Sequence, residues 1–251
     1  MMTYVLIAVL AFAAALLFKA RGVIGVILSD AKMRAGDYDG ALRRLHWSSL
    51  GSPNALLIHK EGLILLLAGR PAEADLCFRK ALGLVQGGSA YPQQRLLASQ
   101  GYALIDLARY DEAEQCFRRA IEVGDRTGNS QDGLAELRLV RGVEIDEALA
   151  YTGEAIEHAK LRPDGRIPGS YWALRAWALA LLGRAGEVGP ALAEAIRVPE
   201  PNARTRASLH WRAGMALLAM HQPEEAWKHF QMGHDADPRG KYGRRCGEHL
   251  A

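Results

Sequence analysis

Residues 108–117 read ARYDEAEQCF, and the pattern in this stretch returns in five other parts of the chain. The related stretches are GDYDGALRRL at 36–45, GRPAEADLCF at 69–78, VEIDEALAYT at 143–152, RAGEVGPALA at 184–193 and HQPEEAWKHF at 221–230. Each stretch places a turn before an amphipathic helix. The repetition predicts a stack of similar helix pairs, because one short pair cannot bury its own apolar face.

Three positions keep their chemistry from copy to copy. One small residue marks the register of each copy: Ala41, Ala74, Ala113, Ala148, Val188 and Ala226. A large apolar residue follows four positions later in most copies: Leu45, Phe78, Phe117, Leu192 and Phe230. An upstream small residue lets the two helices of a unit approach closely: Ser29, Gly62, Gly101, Ala176 and Gly214. The fourth copy departs from the pattern with Glu136 and Thr152, so it is the weakest unit.

On these residues the chain resembles the tetratricopeptide repeat family over roughly Val23 to Pro238. The register residues are 33, 39, 35, 40 and 38 positions apart, which fits a unit of about 34 residues with short insertions better than armadillo or HEAT units of roughly 40–47.

The resemblance implies an all-α fold, a right-handed superhelical solenoid of about six helix pairs. We expect units near 22–54, 55–88, 94–127, 129–162, 169–201 and 202–238. Residues 239–251 then form a basic tail or cap, and the three glycines Gly240, Gly243 and Gly247 favour a mostly disordered end.

The amino-terminal stretch is apolar. Residues 1–18 carry no charge, and Thr3 is their one polar side chain before Lys19 and Arg21. Eighteen helical residues rise about 27 Å, close to the roughly 30 Å hydrocarbon thickness of a bilayer. We therefore expect residues 1–21 to be a retained transmembrane anchor of a single-pass membrane protein. The alternatives are a cleaved signal peptide and a buried helix, but no Lys or Arg precedes the apolar run. Positive charge on its carboxyl-terminal flank places the repeats in the cytoplasm.

Catalytic and metal-binding motifs are missing from the sequence. The eight histidines and three cysteines show no HExxH or CxxC spacing, and neither a P-loop nor a GxSxG turn occurs. Isolated cysteines indicate reduced thiols. The net charge of +3 is too small to indicate nucleic-acid binding. We expect no enzyme activity, no cofactor and no metal site, while the oligomeric state stays open.

The resemblance also implies a binding face. In tetratricopeptide repeat proteins the first helix of each pair lines the concave side. The partner-binding residues implied here are His59, Arg95, Tyr102, Trp177, Trp211, Arg212 and Met215. This surface is aromatic and apolar with a few basic residues, and it lacks the Lys-plus-Asn pair of the family's carboxylate clamp. It suits a protein or peptide partner with apolar anchors. The competing interpretation is that these side chains pack against the next helix.

We expect a membrane-tethered scaffold or adaptor for protein–protein interaction. Its layout, a short anchor followed at once by repeats, resembles that of bacterial envelope-biogenesis adaptors of this family. The alternative function is a carrier or sensor that holds a lipid or acyl chain in an apolar groove of the solenoid.

Overall fold

The computed structural model describes residues 24–48, 54–197, 199–200 and 202–251. Within these ranges the chain forms thirteen helices and no strand, which confirms the predicted all-α class. The helices are α1 (24–34), α2 (Tyr38–Ser48), α3 (Ala55–Leu67), α4 (Pro71–Gln86), α5 (Gln93–Asp106), α6 (Tyr110–Glu122), α7 (Asn129–Arg141), α8 (Ile145–Lys160), α9 (Gly169–Leu181), α10 (Ala185–Arg197), α11 (Ala203–Ala219), α12 (Pro223–Ala236) and α13 (Lys241–Glu248).

Helices α1 to α12 form six successive pairs, and each pair packs against the next to build a solenoid. Within the pairs, α3 packs on α4, α5 on α6, α7 on α8, α9 on α10 and α11 on α12. Proline opens α4 and α12, where a first helical turn has no need of the missing N–H. Stability therefore comes from stacking between neighbours, as the repeated pattern predicts.

A left-handed backbone residue joins the two helices of a pair. It lies five positions before the register residue at Gly36, Gly69, Ala108, Gly183 and His221. In the fourth unit the left-handed positions are Gly142 and Glu144 instead. This conformation costs a non-glycine residue about 1–2 kcal/mol. Ala108 and His221 adopt this left-handed conformation although neither is glycine. The packing of the two helices, rather than the backbone preference of the residue, therefore determines the turn.

A phenylalanine of the second helix packs against a glycine of the first. The pairs are Phe78 on Gly62, Phe117 on Gly101 and Phe230 on Gly214. A Cβ atom on Gly101 would lie 2.6 Å from the ring of Phe117, so only glycine allows this approach. The three rings are almost fully buried. The predicted core positions are therefore where the sequence pattern places them.

The carboxyl-terminal segment is folded, so the expectation of a mostly disordered end is wrong. Helix α13 packs against α11 and α12, and Cys246 on it is fully buried. Its glycines serve close packing: a Cβ atom on Gly243 would lie 1.9 Å from the carbonyl oxygen of Asp237. Glycine weakens a helix by about 1 kcal/mol per residue, and here the tight contact that it permits offsets this cost.

The last unit also reaches the first. Tyr38, at the start of α2, donates a 2.6 Å hydrogen bond to Oδ2 of Asp237, which follows α12. Because these partners are 199 positions apart in sequence, the contact closes the superhelix on itself.

None of the helices in the described ranges is long and apolar enough to cross a bilayer. The predicted anchor at residues 1–21 lies outside these ranges.

Candidate binding site on the concave face

The inside of the closed superhelix holds a cavity of about 500 Å³. Its wall comes from α3, α5, α7, α9 and α11, which are the first helices of their pairs. Residues at the beginning of three of these helices form one end of the cavity, which we call the rim: Arg95, Asn129 and Ser170. Arg204, at the beginning of α11, also lines the cavity but lies with Met33 and Arg34 where α1 ends. The cavity therefore lies on the concave side of the solenoid.

Helix α13 closes the other end of the cavity, which we call the floor. Lys241 and Tyr242 of α13 line the cavity. Nζ of Lys241 lies 2.9 Å from a carboxylate oxygen of Asp106, the last residue of α5. Arg244 donates a 2.9 Å hydrogen bond to the carbonyl of Ala68, directly after α3. The floor thus lies where α3 and α5 end, opposite the rim.

Helix α13 also covers the aromatic part of the concave face. The guanidinium carbon of Arg245 lies 4.7 Å from the ring centroid of Trp211, and the ring of Tyr242 lies 5.5 Å from it. Trp177 packs edge-on against Trp211 with 5.5 Å between ring centroids. The two tryptophans are 4% and 5% exposed. In this conformation Trp211 packs against the protein's own last helix, and Trp177 packs against Trp211.

A buried ion network connects the fourth unit to the sixth. The Arg212 guanidinium donates two 2.8 Å hydrogen bonds to Asp132 and a further one to Glu136. Burial would raise the pKa of Glu136, but the charges of Arg212, Lys241 and Arg245 outweigh it and lower this pKa to about 2. Glu136, which breaks the repeat pattern in sequence, is therefore the buried anion on which the network is built.

His59 is held neutral at the wall. Its Nδ1 lies 2.6 Å from the Tyr91 hydroxyl and its Nε2 lies 2.8 Å from Oγ of Ser99. Burial lowers the pKa of His59 to about 4, and the nearby charges of Arg95 and Lys60 add to the effect. The imidazole therefore contributes no positive charge to the cavity at neutral pH.

The seven residues predicted to bind a partner fall into two groups. Four line the cavity: His59, Arg95, Tyr102 and Arg212. The other three belong to the packed region beside α13: Trp177, Trp211 and Met215. Their role in partner binding stays a prediction, but Arg212 is committed to the buried network and the two tryptophans are covered.

The floor formed by α13 is not predicted by the repeat pattern. Two signals in the sequence point to it in retrospect, the acid Glu136 at a position meant for a small residue and the basic run that contains Lys241 and Arg245. A buried acid needs a cationic partner. The tail supplies two cations near Glu136, and Arg212 supplies a third.

Comparison with protein families identifies residues 94–123 as a tetratricopeptide repeat. These residues include nearly all of α5 and all of α6. Comparison of the sequence with curated proteins gives no match.

Solved structures of the same architecture cover most of the chain. A tetratricopeptide repeat protein from Parabacteroides merdae is similar with a TM-score of 0.62 and 20% identity, over 91% of this chain and 82% of that one. A thermophilic tetratricopeptide repeat protein of Thermus thermophilus gives a TM-score of 0.57 and 18% identity, over 78% of this chain and 99% of the other. The Cut9–Hcn1 hetero-tetramer of the APC/C gives 0.65 and 14%, over 91% of this chain and 42% of the matched chain. At such identities the likeness concerns the fold.

Proposed function

We propose that this chain, which is a tetratricopeptide repeat protein, is an interaction scaffold that holds a segment of a partner protein against its concave face. The observation that carries the proposal is the cavity of about 500 Å³ that remains between the first helices although α13 occupies part of that face. Proteins of this fold bind peptide or protein partners, and one structural neighbour is a chain of the Cut9–Hcn1 hetero-tetramer.

The wall of the cavity suits apolar anchors on one side. Leu63, Leu66 and Leu67 of α3 line it, and Ala98 of α5 stands beside them. Burying one aliphatic side chain against such a wall contributes about 1.5–3 kcal/mol. A partner segment with one or two aliphatic residues would therefore gain most of its affinity there.

Site-specific photocrosslinking tests this proposal. A photoreactive amino acid replaces Leu63, which lines the cavity, and in a matched variant it replaces Leu76, which is 60% exposed on α4. We expect a discrete crosslinked partner from position 63 and none from position 76. Equal crosslinking at both positions, or crosslinking at 76 alone, would contradict binding on the concave face.

We further propose that residues 1–21 tether the scaffold to a membrane with its repeats in the cytoplasm. Support comes from the sequence: an uncharged run of 18 residues is followed by Lys19 and Arg21. This layout, typical of envelope-biogenesis adaptors, favours a partner in membrane or envelope assembly. The full chain should sediment with membranes, and a chain without residues 1–20 should not. A reporter after Ala251 should be active in the cytoplasm, and periplasmic activity would reverse the topology.

A further inference from the structure

We infer that the outer side of the first helix pair docks on the surface of an anionic lipid bilayer. The inference rests on the proposed membrane tether, because it concerns how the first repeat lies against the membrane that residues 1–21 would enter. We call this surface the docking face, and its residues are Ile24, Ile27 and Leu28 of α1 and Arg43, Arg44 and Trp47 of α2.

The apolar part of the docking face is a stripe on α1. Ile24, Ile27 and Leu28 are exposed, and their spacing of three and four residues places them on one side of the helix. The terminal unit of a solenoid normally presents a polar outer face, and at the other end of this solenoid α13 packs on the last helix pair. Since none of the described helices covers the stripe on α1, its occupant must come from elsewhere.

The polar part of the docking face is basic and aromatic. Lys32, one turn further along the same side of α1, lines a surface pocket together with Asp37, Arg43, Arg44 and Trp47. Lys32 and Asp37 form an ion pair of 3.0 Å. Among the described residues, Arg43 and Arg44 have no carboxylate oxygen within 4.0 Å. The pocket is therefore positively charged, and it contains the residue type that is enriched at membrane–water interfaces, tryptophan.

The docking face lies close to the end of the proposed tether. A Cβ atom on Gly25 would lie 2.5 Å from Cβ of Ser48 and 3.1 Å from the carbonyl oxygen of Arg44, so the end of α2 lies beside the beginning of α1. Ile24 follows Arg21 by three residues, which span at most about 10 Å. If the basic flank of the tether stays among the cytoplasmic headgroups, the docking face is within reach of the same headgroups.

The combination of charge and apolar surface favours a bilayer over a second copy of the chain. Helices that lie on membranes bury apolar side chains about 5–10 Å deep and keep basic side chains at the headgroups. A twofold contact between two copies would instead bring Arg43 and Arg44 of both chains into one interface. Anionic headgroups neutralise these arginines, whereas a second copy adds like charge.

Photocrosslinking to lipid tests the inference on the full chain, reconstituted in vesicles of phosphatidylcholine and phosphatidylglycerol. The photoreactive residue p-benzoylphenylalanine replaces Leu28, which is 41% exposed, and in a matched variant it replaces Leu181, which is 43% exposed at the end of α9. We expect phospholipid adducts, identified by mass spectrometry, at position 28 and not at position 181. A third variant carries the photoreactive residue in place of Leu10, inside the proposed tether, and should also form adducts.

A second set of variants tests the charge. A basic residue near an anionic surface strengthens association about fivefold, so Arg43→Gln with Arg44→Gln should lower the adduct yield at position 28 several-fold. Vesicles of phosphatidylcholine alone should lower the yield of the original chain in the same way. The matched control, Arg118→Gln with Arg119→Gln, removes two adjacent exposed arginines of α6 and should keep the yield. Circular dichroism checks that both double variants are folded.

Two results would overturn the inference: a yield at position 28 no higher than at position 181, or a yield at position 28 that the Arg43 and Arg44 variant leaves unchanged. Crosslinks between two copies at position 28, in place of lipid adducts, would also overturn it and assign the face to self-association. The tether fails separately. Adducts at position 10 without adducts at position 28 would leave the tether and remove the docking face, whereas adducts at neither position would remove both.

Discussion

His59 and Trp211 occupy the same position of their repeats, three residues before the small residues Gly62 and Gly214. Both belong to first helices, yet their surroundings differ. His59 lines the open cavity between α3 and α5, whereas Trp211 lies beneath Arg245 and Tyr242 of α13. The repeat thus fixes the side of the solenoid that a residue faces. Whether the residue can meet a ligand is decided by an element outside the repeat.

The largest loss of stability is expected from a change in the buried ion network that Arg212 forms with Asp132 and Glu136. Arg212→Ala would leave Asp132 buried without its cation and deprive Glu136 of its closest one, so we expect a loss of about 3–5 kcal/mol in the free energy of unfolding. Arg184→Ala removes an exposed pair with Glu187 and should cost about 0–1 kcal/mol. Urea titration measures both. Similar losses would mean that the buried network contributes no more than a surface pair.

A smaller effect is expected from uncovering the aromatic region. Arg245→Ala removes hydrogen-bonded ion pairs with Asp106 and Glu136 and should cost about 1.5–3 kcal/mol. Tryptophan emission should shift to the red because Trp211 loses its cover. The neighbouring Arg244→Ala, which removes a single hydrogen bond to a carbonyl, should do neither. A red shift in both variants would show that α13 is detached by any change to it.

At the wall of the open cavity, His59 should make the stability of the protein depend on pH. Folded His59 has a pKa of about 4 against 6.5 for the free side chain. Below pH 6.5 the unfolded chain binds a proton that the folded chain excludes, so stability falls as the pH falls toward 4. Between pH 6.5 and 5 we expect His59 to account for a loss of about 1–2 kcal/mol.

His59→Gln should remove that part of the pH dependence, which thermal unfolding across this range would measure. Some dependence of stability on pH should remain in this variant, because burial also lowers the pKa of His210 in α11 to about 4. An unchanged slope in the His59→Gln protein would mean that this imidazole is not buried in solution.

The smallest effect is expected at the rim. Arg95→Gln changes an exposed side chain that has no carboxylate partner within 4.0 Å among the described residues. The free energy of unfolding, measured by thermal melting, should therefore match that of the original protein within about 0.5 kcal/mol. A loss as large as that of Arg245→Ala would show that Arg95 is a structural residue and not a free cation of the cavity.

Much of the fold could be predicted because the information is local and repeated. The same arrangement of two packed helices is indicated by features that recur from unit to unit. These are the register residues, the glycines opposite Phe78, Phe117 and Phe230, and the prolines that open α4 and α12. The cavity could be predicted only in part. The register of the repeats predicts that His59, Arg95 and Tyr102 face the cavity. The floor depends on contacts such as that of Arg244 with Ala68, which are 176 positions apart, and the repeat pattern does not predict such contacts.

Glu136 shows where the sequence could have been interpreted further. As a departure from the pattern it indicates a weak fourth unit, but in the structure it is fully buried and bound by Arg212. A charged residue at a core position of a repeat predicts a buried partner elsewhere in the chain. Finding that partner requires the three-dimensional arrangement, because the two residues are 76 positions apart in the sequence.

The hydrogen bond between Tyr38 and Asp237 has a consequence for how the protein comes apart. An open array of repeats behaves as a one-dimensional chain, and its terminal units fray first because each has a single neighbour. Here the two terminal units hold each other, so neither end is free to melt alone. Loss of this hydrogen bond, as in Tyr38→Phe, would weaken the connection and leave Arg244 with the carbonyl of Ala68 as a remaining link between the last helix and the second unit. Amide hydrogen exchange in α2 and α12 should then accelerate together, although the helices lie at opposite ends of the sequence.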